Sequence, residues 1–384
     1  MVRGYRPGYL GHPAGLVTIE FRKSRTFQTI GSPVEHTTVI LWAGFAIGLL
    51  FGVIAQRMEF CLSGGLREWW GEGRPRRAAG FLLAMGTAVT ATQAAALGGG
   101  FAPRDSIYLQ PTFSWSAVPA GGVLFGYGMV AARGCGSRAL VLLADGNLRS
   151  LLVLLCLGVS AFAALTGILA PARLWLSEFG AVSPQWATPG LDGALLSAGW
   201  AEAPARLVPG LAIGFGLAAF ALGPLGLRKA PGQVLGGVLI GLLVPAGWIV
   251  TGHFGADDFD PVPVESLTFV APIGDSIQYL MLATGISMQF GVAVVGGVLA
   301  GALAASLAAR DFELRGFENP REMLRAIYGG MFMGIGGALA IGCSVGQGLS
   351  GLSTLAVASL LAVAGIFAGA FLAVRGPVRL RDTA

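Results

Sequence analysis

The chain has 384 residues, 54% hydrophobic and only 12% charged, with a formal net charge of +5 and a mean hydropathy of +0.71. Soluble domains carry roughly a quarter charged residues, so a deficit this large over the whole length excludes a soluble domain and leaves an all-α polytopic membrane protein. The positive charge is spread over loops, where it bears on topology rather than on nucleic acid. Four cysteines without CxxC spacing make neither a disulfide framework nor a zinc site.

Residues 1–37 are polar and basic, with no apolar core beside a cleavage site, and read as an N-terminal extension without a signal peptide. Nine apolar stretches follow, at about 38–57, 77–98, 118–133, 148–170, 207–223, 234–251, 286–309, 324–342 and 352–374. A span needs about 20 apolar residues, fewer where it ends inside protein. They form one transmembrane domain, 38–375, with a tail at 376–384. Arginines gather in alternate loops: Arg67, Arg74, Arg76 and Arg77 after the first stretch, Arg138 after the third, Arg228 and Lys229 after the fifth, Arg310, Arg315 and Arg321 after the seventh, and Arg375, Arg379 and Arg381 in the tail. The longest intervening loop, 252–285, holds Asp257, Asp258, Asp260, Glu265 and Asp275 without a Lys or Arg. This alternation puts the C-terminus in the cytoplasm and the N-terminus outside. Arg3, Arg6, Arg22, Lys23 and Arg25 in the N-terminal tail run against it.

One unit recurs along the chain. Gly48-x3-Gly52-x8-Cys61, Gly122-x3-Gly126-x8-Cys135 and Gly330-x3-Gly334-x8-Cys343 share one spacing. A fourth copy, Gly237-x3-Gly241, has Val250 in the place of the thiol. Nine spans place the first two copies on helices running inward and the last two on helices running outward. Half one (about 38–170) and half two (about 234–375) are then inverted repeats joined by the span at 207–223. Inverted-repeat transporters place their sites where the halves meet, at interrupted helices.

The stretches after the cysteines, CLSGGLR, CGSRAL and CSVGQGLSGLS, read as re-entrant half-helices. A helix that starts inside the membrane offers free backbone N–H groups and a positive dipole end, which favour an anion. A thiol is a weak donor and a soft acceptor, suited to an exposed sulfur atom more than to a hard oxyanion. The candidate pathway therefore comprises Cys61, Cys135 and Cys343, with Ser344 and Gln347 as neutral donors, and Gly134 and Gly342 immediately ahead of two of the thiols. Arg67 and Arg138 attract an anion at the cytoplasmic end, besides serving as positive-inside anchors. Ser63 and Ser137 are further neutral donors. Cys156, inside the apolar run LLVLLCLGVS, is a packing residue.

FCLSGGLRE, ARGCGSRAL and IGCSVGQGLSGLSTLA resemble the three cysteine motifs of the YeeE/YedE family of sulfur-compound transporters, with order and spacing intact over about residues 40–375. The resemblance implies an hourglass-shaped protein of a prokaryotic inner membrane. Thiosulfate would pass Cys343, Cys135 and Cys61 in turn through transient hydrogen bonds, with no redox step and no cofactor. It also implies a small soluble sulfur-carrier protein of the TusA type on the cytoplasmic side. Two other readings use the same residues. One is the same fold carrying another sulfur or selenium compound. The other is a membrane thiol oxidoreductase, which needs two cysteines with Cα atoms within about 7 Å. No P-loop is present, so ATP hydrolysis is not expected within the chain.

Overall fold

The computed structural model describes residues 33–99, 101–186, 188–255, 262–317, 319–376 and 380. The basic residues of the N-terminal extension, Asp257, Asp258 and Asp260 of the acidic loop, and Arg379 and Arg381 of the tail lie outside the described residues. In chain order the helices are α1 (Pro33–Arg57), α2 (Leu62–Arg67), α3 (Arg76–Leu97), α4 (Ala117–Ala131), α5 (Gly136–Ala144), α6 (Leu148–Leu165), α7 (Ala170–Glu178), α8 (Leu191–Ser197), α9 (Glu202–Leu222), α10 (Pro231–Ile249), α11 (Val270–Leu282), α12 (Phe290–Ala309), α13 (Pro320–Leu339) and α14 (Val357–Val374). Two-residue strands β1 (Phe113–Ser114) and β2 (Ala181–Val182) pair antiparallel.

Helices α1, α3, α4, α6, α9, α10, α12, α13 and α14 stand on the nine predicted spans. Among the described residues, seven helices are long and apolar enough to cross a membrane unaided. Of the other two predicted spans, α4 has only 15 residues, and α13 opens on Arg321, Glu322 and Arg325. The protein is an all-α polytopic membrane protein.

Each glycine pair docks its helix on one partner: α1 on α12, α4 on α14, α13 on α6 and α10 on α3. The reason is backbone approach. A Cβ on Gly126 would stand 2.1 Å from the Ile366 carbonyl oxygen, and one on Gly334 2.4 Å from that of Leu157. Exchanging α1 with α10, α3 with α12, α4 with α13 and α6 with α14 turns these four pairings into one another.

At the three thiols the long helix stops in the same way. Glu59, Arg133 and Ile341 take left-handed φ of 48°, 60° and 56°. The next residue then donates its N–H back five positions: Phe60 to Ala55 at 3.1 Å, Gly134 to Met129 at 2.9 Å and Gly342 to Gly337 at 2.8 Å. This is the Schellman stop, in which the N–H satisfies a carbonyl left free at the helix end. None of the three left-handed residues is glycine, so each conformation costs about 1–2 kcal/mol. Behind each thiol the chain is helical again: α2 prolonged by a wide turn at Glu68–Glu72, α5, and a ten-residue helical stretch, 344–353.

Part of the acidic loop lies in the core. Ser266, Leu267, Phe269 and Val270 are buried, and α11 follows. The run from Leu267 to Ile273 is apolar, and it enters the core instead of crossing the surface. The chain at 188–191 braces the Cys343 segment from outside the repeats. The Leu191 N–H donates to the Leu355 carbonyl at 3.0 Å, while buried Asp192 pairs with Arg206 of α9 at 3.6 Å.

Candidate functional site

The three thiols occupy the N-cap position of their half-helices, a place usually filled by Ser, Thr, Asp or Asn. The Gly64 N–H donates to Cys61 Sγ at 3.3 Å, and the Gly346 N–H to Cys343 Sγ at 3.2 Å. At Cys135, also an N-cap, no such cap bond is made. In the two bonded copies the donor lies three residues past the cysteine, so one capping geometry is built twice. Each sulfur sits at the positive end of a half-helix. All three thiols are almost fully enclosed, at 5%, 3% and 2% exposure for Cys61, Cys135 and Cys343.

The fold brings these thiols together. The Cys61 and Cys135 thiols lie close enough to interact directly. Ser137 Oγ lies 3.3 Å from Cys135 Sγ. Ser344, adjacent to Cys343 in the chain, lies toward Cys135, and the Cys343 and Cys135 thiols are within electrostatic range. All four cysteines are free. Cys156 stands apart on α6, where it packs against Gly330, as its apolar surroundings led us to expect.

Cys61 forms part of the wall of a cavity of about 530 Å³ that also touches Arg67, Arg77, Arg133, Arg138 and Arg325. Several of these charges are balanced. Arg77 pairs with Glu59 and Glu68. Glu322 bridges Arg133 and Arg149 at 3.2 Å each, tying the ends of α4, α6 and α13 together at the rim. Arg138 differs: its Nη1 is buried without a hydrogen-bond partner. It also borders a second cavity of about 810 Å³, reached by Arg57, Arg310 and Arg315. Both cavities therefore open on arginine-rich loops, and Arg138 stands between them.

The remaining predicted residues fall as follows. Gln347 is buried, and its amide NH2 donates to the Ala340 and Ile341 carbonyls, the latter at 3.1 Å. It clamps the end of α13 and has no donor left for an anion; its Oε1 is unpaired. Gly342 has φ of 152°, which a side chain would strain. Gly134 has no such conformation, and a Cβ there would meet its nearest atom at 3.5 Å, an ordinary contact.

Three residues on the Cys343 side escaped the sequence reading. Phe269 is fully buried; its backbone N–H lies beside the Cys343 thiol and its ring lies 5.3 Å from that of Phe51. Thr268 Oγ1 and the Tyr108 hydroxyl lie 2.7 and 3.2 Å from where a Cβ on Gly346 would stand. They belong to connections outside the repeat, and the only advance signal was the apolar run beginning at Leu267. Nearby, half-buried Glu265 has its carboxyl pushed up to about 7, first by burial and then by the neighbouring Asp275. Near neutral pH this acidic loop therefore repels an anion less than its composition implies.

The profile of a family described as Sulphur transport matches residues 57–372. The chain is 24% identical over 323 residues to the thiosulfate transporter TsuA of Escherichia coli (strain K12), covering 81% of this chain and 87% of that one. It is 25% identical over 340 residues to the thiosulfate transporter TsuA of Spirochaeta thermophila, covering 84% and 94%. A shorter match, 31% over 90 residues, is to the probable transporter YedE of Escherichia coli (strain K12), covering 23% of this chain and 20% of that one.

Proposed function

Because the chain belongs to the Sulphur transport family and is a transporter of sulfur compounds rather than an enzyme, we propose that it imports thiosulfate along its three buried thiols. The observation that carries this reading is the meeting of Cys61, Cys135 and the Cys343–Ser344 corner at one place, above an arginine-lined cavity. The anion arrives from the acidic face at Cys343, passes to Cys135 and then Cys61, and leaves into the cavity beside Arg67 and Arg138. At each station a thiol and a backbone N–H offer weak contacts to the terminal sulfur. Weak contacts suit conduction, since a tight site would hold the ion. No sulfur–sulfur bond is made or broken. The exchange of helix pairings between the halves supports an inverted repeat, with thiols presented from both faces.

The arginine-rich loops support a reading in which that cavity and the C-terminus face the cytoplasm of a prokaryotic inner membrane. A small sulfur-carrier protein of the TusA type would receive thiosulfate there. The test is uptake of labelled thiosulfate by cells carrying single Cys→Ala variants at normal membrane levels. Cys61→Ala, Cys135→Ala and Cys343→Ala are each expected to reduce uptake at least tenfold, and Cys156→Ala to leave it unchanged. Wild-type uptake by the Cys135 or Cys343 variant sinks the relay.

A further inference from the structure

Thiosulfate has two chemically different ends, a soft sulfur and three hard oxygens, and the three thiol stations are not equally equipped to meet both. At Cys61 the nearby serine is already engaged, since Ser63 Oγ donates to the Met129 carbonyl at 2.8 Å. At Cys343 the adjacent serine reaches toward Cys135, and the Thr268 and Tyr108 hydroxyls stand beside Gly346. At Cys135 two hydroxyls converge: Ser137 from its own half-helix, 3.3 Å from the sulfur, and Ser344 from the other half. The Ser344 hydroxyl is 1% exposed and has no hydrogen-bond partner at bonding geometry. Buried hydroxyls are almost always paired, and an unpaired one is a loss to the folded protein unless something else meets it.

Resting on the thiosulfate reading above, we propose that Ser344 and Ser137 hold the oxygen end of the anion while Cys135 faces its sulfur end, making this the station that reads the whole cargo. The station at Cys61, whose serine is already engaged, then reads only the sulfur. A hydroxyl is a harder and stronger donor than a thiol, so the orientation follows from the donors present. The serine comes from the half opposite to the thiol it faces, so the complete site forms only where the halves meet.

The test uses the full-length protein in detergent and in cells, with sodium thiosulfate as the probe. Ser344→Ala is expected to leave the thermal stability of ligand-free protein unchanged or raised, because it removes an unsatisfied group. It should also abolish the stabilisation that thiosulfate gives and raise the KM for uptake roughly tenfold, the scale of one hydrogen bond to a charged group. Ser344→Thr, which keeps the hydroxyl, should restore the KM. Ser137→Ala should shift the KM in the same direction. A wild-type KM in both alanine variants overturns the proposal, and so does a Ser344→Ala protein that melts earlier at unchanged KM, since that is a packing effect. Loss of transport in Cys135→Ala together with normal KM in the serine variants would remove this assignment and leave the thiol pathway standing. Normal transport in Cys135→Ala would remove both.

Discussion

Copies of the repeat with and without a thiol show which part of the unit does what. In the fourth copy Gly237 and Gly241 also pack on α3 too closely for a side chain; a Cβ on either would stand 2.7 Å from a carbonyl oxygen. Yet α10 does not stop. It runs on through a wide turn at Val250–Phe254, with no left-handed residue before Val250 among the described residues. The glycines therefore serve helix docking in all four copies, and the break that exposes a half-helix N-terminus belongs to the thiol copies. The fourth copy has a supporting task instead. Fully buried Trp248 donates to Ser353 Oγ at 3.1 Å, stacks on Phe101 at 5.6 Å and meets Tyr108 edge-on. It props the far end of the segment that carries Cys343.

If docking is common to all copies, breaking it should be equally damaging with or without a thiol nearby. Gly334→Leu drives a side chain into the Leu157 carbonyl and Ser160 Oγ, where even a Cβ would be 2.4 and 2.1 Å away. Gly241→Leu meets Thr87 and Ala84 at 2.6 and 2.7 Å. Overpacking of this kind costs about 1–3 kcal/mol and occasionally more, and contact with backbone puts these two at the upper end. Neither variant is expected to give monodisperse protein on size-exclusion chromatography. A well-folded Gly241→Leu protein would mean that the fourth copy's glycines are not structural.

The shared glycine spacing was legible in the sequence because it repeats, and with it the nine long helices and the three half-helices. The meeting of Cys61 with Cys135 was not legible, since it depends on how α1 leans on α12 and α4 on α14. Gln347 illustrates a different limit. Its position beside a thiol reads as a pathway donor, but its NH2 is taken by the carbonyls that α13 leaves free at its end. Composition also misled at 252–285. Aspartates earlier in that loop mask a short apolar run, and only the packing of Phe269 against Phe51 reveals that it belongs to the core.

The stop itself can be probed at two glycines that share a position ahead of their thiols. Gly342 has φ of 152° and a Cβ would come to 3.3 Å from Gln347 Cγ. Gly342→Ala is expected to lose about 1–3 kcal/mol and, with it, several-fold in uptake as the Cys343 corner shifts. Gly134→Ala should stay within about 0.5 kcal/mol with uptake retained, because its nearest neighbours, Arg138 Cγ and Cβ, are 3.5 and 3.6 Å from the new methyl. Equal losses in the two variants would mean that backbone conformation is not what separates them.

The smallest effect is expected where a thiol is supplied without a break. Val250→Cys gives the fourth copy the sequence pattern of the other three. Its backbone nevertheless has φ −61° and ψ −48° inside a continuous helix, where the N–H groups beyond it are engaged along the helix and no N-terminus is presented. Cys343 owes its surroundings to the Schellman stop at Ile341 and to the Gly346 N–H, and the substitution creates neither. Val250→Cys should leave thiosulfate uptake unchanged in the wild-type background and should not restore it to Cys343→Ala. If it did restore uptake, a sulfur atom near the pathway would suffice by itself, and the half-helix geometry common to the three thiol copies would lose its claim to the chemistry.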